Sequence, residues 1–412
     1  MITAVGAASR RRLRLALVAS HPVQYQAPWY RALAEMVELQ VFFAHRIAAA
    51  DHARAGFGVA FDWDVPVLEG YEYTWLDNVA ARPGIDRFRG CDTPGVASII
   101  ERGRFDALLV NGWQLLTYWQ AIRAARRAGI AVMVRGDSQL MTARGVVRRS
   151  AKRVLYPRLL KAFDAYLAVG ARNEAYYRSY GAPASRIYRS PHCVDNDFFA
   201  RSADAARSTP GGARCALGIP GDAIVFAFAG KFIEKKRPLD FLAALDAIRN
   251  VQPNAWGLLA GDGPLRDLME EHRRRHETRC TMIGFLNQQR IATAYAAADA
   301  LVLPSNGGET WGLVVNEAMA CGVPAIVSDQ VGCVPDLITE GETGFSFPCA
   351  EVAALAERMR WMAEDRERRR GMRAGVLRRI SGFSPQAAAA GVIRALEDSR
   401  RGWGHAQIGH AD

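Results

Sequence analysis

The chain has 412 residues, half of them hydrophobic, and a formal net charge of +11. That length and apolar content exclude a disordered chain and provide for two domains, each with its own core. Seven cysteines, an odd number with no Cys-x-x-Cys pair, point to reduced and mostly buried thiols in the cytosol and to no zinc site.

The positive charge is read as a solvated basic surface or as an attraction for anionic lipid or nucleic acid. No nucleic-acid motif accompanies it, so no nucleic-acid partner is expected. No apolar run approaches the roughly 20 residues that a membrane span needs. Residues 1–19 mimic a signal peptide, with basic residues before an apolar run, but Arg14 interrupts the run and no small-residue cleavage site is clear.

Residues 13–20 read as a buried strand. His21 to Pro28 then turns into a helix with Trp29, Leu33 and Met36 on one face, and 37–43 is a second strand. This is a doubly wound opening without a Gly-x-Gly-x-x-Gly. His21 lies at the carboxyl end of the first strand, where a cleft forms; it is a turn residue or a hydrogen-bond partner for a ligand. Residues 48–78 are irregular and aromatic, with Phe57, Phe61, Trp63, Tyr71, Tyr73 and Trp75. Such rings suit sugar faces or plain loop packing, and packing is the reading favoured here. Asp62-Trp63-Asp64 within it has a metal-pair spacing but sits far from any sugar-nucleotide signal, so no metal is assigned.

Further strands fall at 105–110 and 130–134, around a helix at 115–128. The second of these strands ends in Arg135-Gly136-Asp137-Ser138, again at a carboxyl-end loop facing the cleft; Asp137 is a cleft residue or a helix cap. Residues 144–161 carry Arg144, Arg148, Arg149, Lys152, Arg153, Arg158 and Lys161 with apolar residues between them. A basic amphipathic helix of this kind lies on anionic lipid or simply presents a solvated face, and Pro157 should kink or break it. A strand at 165–169 and a helix at 173–180 follow. Residues 201–222, rich in Ser, Pro, Gly and Ala, read as an interdomain linker.

The second half opens with a continuous apolar strand, 223–229. It runs into Gly230-Lys231-Phe232-Ile233-Glu234-Lys235-Lys236. Basic residues on a loop between strand and helix suit a diphosphate and neutralise charge on a leaving group. A strand at 255–260 ends in Gly261-Asp262-Gly263-Pro264, where glycines allow a tight turn and Pro264 starts a helix. A short strand at 281–283 runs into Gly284-Phe285-Leu286, and 291–298 is helical.

The densest signal is at 300–347. A buried strand (300–303) is followed by the turn Asn306-Gly307-Gly308, then Glu309, then a helix at 313–321 stopped by Gly322 and Pro324, then a strand at 324–329. This is a βαβ unit, whose first turn is where an open α/β sheet places a ligand. The unpaired amides of Gly312, Leu313 and Val314 favour an anion such as a diphosphate. Glu309 and Glu317 are eight positions apart. Two carboxylates beside a phosphate need hydroxyl donors, and sugar and ribose hydroxyls are such donors. Residues 349–380 are helical and charged. Ser384-Pro385 caps a last helix at 386–399, and 400–412 reads as a frayed tail.

Gly308-Glu309, Gly312-Leu313, Asn316 to Ala320, Gly322-Val323-Pro324 and Gly341 to Gly344 together resemble the donor-binding region of family 4 retaining glycosyltransferases, which have the GT-B fold. The resemblance is strong over 223–347 and weaker but continuous over 13–199. It implies two Rossmann-like, doubly wound α/β domains facing a cleft. Residues 1–200 would form an acceptor domain, joined by a crossing helix at 384–400. Residues 201–222 would be the linker and 223–382 the donor domain.

The activity implied is transfer of a hexosyl-type sugar from a nucleotide-diphosphate sugar to an acceptor hydroxyl with retention, in polysaccharide, lipopolysaccharide or glycolipid biosynthesis. By resemblance Glu309 contacts the transferred sugar, Glu317 the ribose, and Lys231 and Lys236 the diphosphate. Gly230, Gly284, Phe285, Gly312, Leu313 and Val314 complete the donor site. The family's histidine near 135–138 is missing, with Arg135 and Asp137 as the polar residues in its place; Asp137 joins the catalytic set, and His21 and Arg135 the acceptor side. His192, where the family has Asn, packs or caps, and Asp195-Asn196-Asp197 is structural. No cofactor or metal is expected; the partners are a nucleotide sugar, a saccharide or lipid-linked acceptor and an anionic membrane touched by 144–161. The expected location is cytoplasmic or peripheral on the inner membrane face. The alternatives are a sugar-nucleotide epimerase or phosphorylase of the same fold, or a non-catalytic partner subunit that binds sugar nucleotide.

Overall fold

The computed structural model describes residues 11–48, 61–142 and 146–401, without the side chains of 146–149. Phe57, Arg144 and residues 402–412, named above, lie outside the described residues, as do the side chains of Arg148 and Arg149.

The first domain alternates strand and helix: β1 (Arg14–Ala19), α1 (Ala27–Met36), β2 (Glu38–Phe43), β3 (Glu72–Trp75), α2 (Val96–Arg102), β4 (Ala107–Val110), α3 (Leu116–Arg127), β5 (Ala131–Gly136), α4 (Val146–Leu160), β6 (Ala165–Ala168), α5 (Ala171–Ser179) and β7 (Ile187–Arg189). The strands form one sheet in the order β3-β2-β1-β4-β5-β6-β7, each pair parallel. Register is set by apolar matches such as Leu17 with Val41 on one side and Leu109 on the other. Helices cover both faces, so the central strands read as unbroken apolar runs.

The second domain repeats the plan with α6 (Asn196–Ser208), α7 (Gly212–Ala216), β8 (Ile224–Ala229), α8 (Pro238–Ile248), β9 (Ala255–Ala260), α9 (Arg266–His276), β10 (Cys280–Gly284), α10 (Gln288–Ala297), β11 (Ala300–Leu303), α11 (Leu313–Ala320), β12 (Ala325–Ser328), α12 (Val334–Leu337), β13 (Gly344–Phe347), α13 (Val352–Glu364) and α14 (Arg366–Ser381). Its strand order is β10-β9-β8-β11-β12-β13. Strand order reverses between β1 and β4 in one sheet and between β8 and β11 in the other. At these switch points the βα loops diverge and open a crevice.

Four local expectations are corrected. Residues 201–222 are not an extended linker: α6 buries Phe199 and Ala203 against Ala292 and Tyr295, and Arg214 of α7 donates to the Ala297 and Ala223 carbonyls. The composition that resembles a linker is a pair of helices on the second domain, and the chain crosses between domains before them. Helix α4 runs through Pro157. The lost N–H is tolerated because Tyr156 packs on Tyr180 with ring centroids 5.1 Å apart, and Leu160 is buried beyond it. Met36, the last residue of α1, is 43% exposed although Trp29 and Leu33 on the same face are buried. An edge strand, β3, emerges from the stretch read as irregular.

The chain returns at Gly382 to Ser384, where Ser384 accepts a hydrogen bond from the Ala387 amide and starts α15 (Pro385–Arg400). This helix packs its Ala388, Ala389, Val392 and Leu396 into the first domain's core with Leu33 and Val41. Gly391 lies against β7 so closely that a Cβ there would sit 1.9 Å from the Arg189 carbonyl oxygen. Gly391→Ala would normally gain about 1 kcal/mol of helix propensity. Here we expect a net loss of about 1–3 kcal/mol as α15 is pushed off β7, read as a lower urea midpoint; a higher midpoint would contradict the packing.

Candidate active site

A cavity of about 360 Å³ lies between the domains at the β8/β11 switch point. Its floor is the loop after β8. Gly230 bends the chain, and a 3₁₀ turn at Glu234–Lys236 brings Lys236 back toward the strand ends. Gly261, after β9, has φ +152, and a Cβ there would fall 1.9 Å from the Gly230 carbonyl oxygen. Only glycine lets the two loops approach.

The loop after β11 presents Glu309. Asn306 folds it into a turn, its carbonyl accepting from the Glu309 amide and its side chain from the Gly308 amide. Lys236 Nζ stands 2.6 Å from Glu309 Oε2, with both side chains nearly buried, and Lys235 Nζ stands 3.6 Å from the same oxygen. Burial pushes the Glu309 carboxyl up, but the two lysines outweigh it and hold it below the usual carboxylate value. Lys231 is half-buried, and its ammonium is pulled below the usual lysine value by burial and by Lys236 and Lys235.

Glu317, just past the first turn of α11, differs. Tyr295 donates its hydroxyl to Glu317 Oε2 at 2.6 Å. Burial pushes this carboxyl up to about 7, against the pull of that hydroxyl and of Lys236. Near neutrality, three lysines therefore face one fully ionised glutamate, while Asp262 is taken up by Arg266 at 2.9 Å. With Glu317 also partly ionised at that pH, lysine charge still exceeds carboxylate charge in this partly enclosed space. Gly312, with φ +98, starts α11 without a side-chain cap, and the amides of Leu313 and Val314 have no intrahelical acceptor. This is the electrostatic outline of a dianion site.

The expected donor residues gather as follows. Gly230, Lys231, Lys236, Phe285, Glu309, Val314 and Glu317 line the cavity; Gly284, Gly312 and Leu313 do not, and are next to the lining residues Phe285 and Val314 only along the chain. Asp137 reaches the same loop from the first domain: Thr310 donates to its carboxylate at 2.8 Å. His21 and Arg135 are off the wall. Serine 20 and His21 Nδ1 share a 2.9 Å contact. Arg135 is buried and stacks over Trp29 at 4.4 Å, donating to the Ser190 and Pro191 carbonyls. It braces the interdomain crossing instead of facing an acceptor. His192 packs between Tyr25 and Trp311, and Asp195 caps α6 through the Phe198 amide, as expected for both.

Sequence reasoning missed residues that reach the site from afar. Gln139 is buried and donates to the carbonyls of Glu309 (3.0 Å) and Gly307 (3.3 Å), fastening the Glu309 turn to the first domain. Gln24 and Trp63 line the cavity from the first domain. The Asp62–Asp64 stretch is not remote, as its place in the sequence implied. Phe61 lies on Phe285 with centroids 4.5 Å apart, Asn287 donates to the Asp62 carbonyl, and Asp64 accepts from the Gln289 amide at the start of α10. The aromatic loop is an interdomain clasp. Among the described residues no group of three or more His, Cys, Asp or Glu side chains is placed to hold a metal ion.

Residues 213–376 match the family model described as glycosyl transferases group 1. The match falls within the second domain and covers less than half of the chain. A glycogen synthase of Mycobacterium tuberculosis is 32% identical over 178 residues, 42% of each chain. A D-inositol 3-phosphate glycosyltransferase of Catenulispora acidiphila is 32% identical over 217 residues, 50% of each chain. The chain thus spans half or less of the length of these curated relatives. A crystal structure of Anabaena HepE in complex with UDP superposes over 94% of this chain and 100% of its own, with a TM-score of 0.71 at 16% identity. That likeness shows the GT-B fold, and the lysine-rich wall of the cavity lies within the residues that match the family model.

The raised Glu317 value has a stability consequence. The unfolded chain releases this proton near the ordinary glutamate value, whereas the folded protein keeps it to about pH 7. Between the two, the folded state binds more protons, so stability falls as pH rises through that window and levels off above it. Glu317→Gln removes this slope. Relative to wild type, we expect the variant to gain on the order of 2 kcal/mol between pH 5 and pH 8 in urea melts, after allowance for pocket water. Parallel pH profiles would contradict the buried acid.

Proposed function

We propose that the protein transfers a sugar from a nucleotide-diphosphate sugar to an acceptor hydroxyl, with retention at the anomeric carbon. The observation that carries this reading is the Lys236–Glu309 pair at 2.6 Å, inside a cavity with surplus lysine charge at a helix start. The relatives support it: one is named a glycogen synthase, another an inositol-phosphate glycosyltransferase, and the HepE crystal holds UDP.

In this mechanism Lys231, Lys236 and the first amides of α11 receive the diphosphate, and Glu309 orients the sugar hydroxyls as Lys236 turns to the phosphate. Glu317, with Tyr295, holds the ribose. The bond from the anomeric carbon to the diphosphate oxygen breaks. The acceptor oxygen bonds to the same face, and its proton passes to the departing diphosphate. Glu309 is tied to lysine and Asp137 to Thr310, so neither is set up as a covalent nucleophile on the opposite face. The clasps at Gln139 and Asp64 close the cleft and keep water from the donor.

A thermal-shift panel of UDP-, GDP-, ADP- and dTDP-sugars tests this. Ligand binding to the folded state raises Tm by mass action. We expect one donor class to stabilise the wild type and to lose that effect in Lys236→Ala. Glu309→Gln should still bind it but lose about 10²–10³ in kcat. No shift with any donor, on folded protein, would overturn the reading.

The acceptor is proposed to be membrane-borne. Helix α4 exposes Val154 (60%) and Leu155 (59%) beside exposed Arg153 and Arg158, an apolar ridge with a basic flank. Wild type should sediment with phosphatidylglycerol vesicles and not with phosphatidylcholine ones, and Val154→Glu/Leu155→Glu should stay in the supernatant. Equal sedimentation of both proteins would contradict this contact.

A further inference from the structure

The second domain has another cavity, of about 470 Å³, on the side opposite the candidate active site. Its walls are the entry ends of β8, β11 and β12, at Ala223, Asp299 and Pro324, whereas the lysine-rich cavity lies at the exit ends. Six arginines line it: Arg207 of α6, Arg214 of α7, and Arg366, Arg369, Arg370 and Arg373 of α14. Two aspartates line it with them, Asp222 and Asp299. Asp204 and Glu367 pair with cavity arginines from outside, and the arginines still outnumber the acids by two.

The existing bonds leave this charge poorly matched. Asp299 is shared by Arg214 (2.7 Å) and Arg369 (3.7 Å). Asp204 is shared by Arg207 (3.1 Å) and Arg373 (3.6 Å). Arg207 and Arg373 also crowd onto one carbonyl, that of Cys321, at 2.6 and 3.2 Å. The Arg369 side chain is nine-tenths buried, and its Nε has no hydrogen-bond partner. Burial holds the Arg369 guanidinium below its usual value, and so do Arg214 and Arg366. The Arg366 side chain has no hydrogen-bond or ion-pair partner among the described residues. Like charges held this close are unfavourable without a counter-ion, and guanidinium forks match the oxygens of a phosphate.

We propose that this cavity is a second anion site that takes a phosphate-bearing ligand, a diphosphate or phosphate monoester, clamped between α6, α7 and α14. Its position gives it leverage. Helix α6 follows the first crossing between domains, and α14 leads directly into the second. A ligand bridging Arg207, Arg366 and Arg373 would tie together both chain segments that join the domains, and so would bear on closure of the cleft.

Inorganic pyrophosphate is the probe, used on the Lys236→Ala protein so that the donor cavity contributes little. We expect pyrophosphate to raise Tm in a saturable way, with sodium chloride at equal ionic strength giving no comparable rise. Arg366→Gln/Arg370→Gln, both at exposed positions, should weaken the apparent affinity at least tenfold. Arg366→Gln alone, which breaks no hydrogen bond, should weaken it in the same direction and keeps the comparison if the double variant melts early. Equal stabilisation of Lys236→Ala with and without the arginine substitutions would overturn the proposal, as would a rise matched by sodium chloride. Phosphatidylglycerol vesicles in place of pyrophosphate, with Val154→Glu/Leu155→Glu added to remove the α4 contact, separate the sources: an arginine-dependent pelleting identifies a lipid headgroup, and its absence beside an arginine-dependent Tm rise identifies a free phosphate. Because the donor site is disabled in every arm, failure here leaves the proposed transferase reading standing, and failure of that reading leaves this test intact.

Discussion

The ion pair between Lys236 and Glu309 is the constraint on which the rest of the cleft depends. It joins two βα loops from adjacent strands, β8 and β11, at the point where the strand order reverses. A nearly buried pair of this kind is costly to desolvate and is weak evidence for stability. Its value here is positional. Glu309 is held ionised beside a lysine that has two further lysines near it, so an incoming dianion can take over the lysines and leave the carboxylate to accept from hydroxyls. Glu317, only eight positions on, is buried against Tyr295 without a lysine in contact, and its carboxyl stays protonated to about pH 7. Two glutamates of the same helix region are thus set to different protonation states by their surroundings.

The first domain controls the geometry of that pair without supplying either member. Gln139 fastens the Glu309 turn through backbone carbonyls, and Asp137 fastens the neighbouring Thr310. At the other end of the cavity Asp64 satisfies an amide at the start of α10, and Phe61 covers Phe285. These contacts hold only while the domains face each other as they do here. The two crossings are braced separately, by buried Arg135 under the first and by α15 packed on the first domain after the second. Closure therefore couples to the site through a handful of side chains on otherwise independent sheets.

How much of this was legible in the sequence follows from where the partners lie. The second-domain wall of the cavity could be read because its signals are local. Apolar runs mark strands buried on both faces, glycines mark the bends after β8 and β9, and Glu309 and Glu317 bracket the start of one helix. Lys231 and Lys236 were singled out by the family resemblance, on a basic loop whose place after a strand is itself a local signal. Gln24, Gln139 and Trp63 were not, because each gains its meaning from a loop on the other domain, and spacing along the chain says nothing of that. Asp64 looked like half of a metal pair but caps a helix more than two hundred positions away in the chain. Arg135 looked like a cleft residue because it ends an apolar strand at a carboxyl-end loop; the guanidinium instead finds Trp29 and two carbonyls inside. Residues 201–222 show the converse error, in which small and polar residues resembled a linker although Phe199, Ala203 and Arg214 pin the segment to the second domain.

The most direct test of the lysine-rich cavity as a diphosphate site is calorimetric. UDP, UMP and uridine should be titrated into wild type and into Lys236→Met, with the corresponding series of another base if uridine compounds do not bind. The charge surplus predicts that affinity in wild type rises steeply from nucleoside to monophosphate to diphosphate, by tenfold or more at the last step, about 1.4 kcal/mol. It predicts that Lys236→Met flattens that last step while leaving nucleoside binding unchanged. Equal affinity of wild type for the diphosphate and the monophosphate, or a last step that survives in Lys236→Met, would contradict the assignment of this wall to the leaving group.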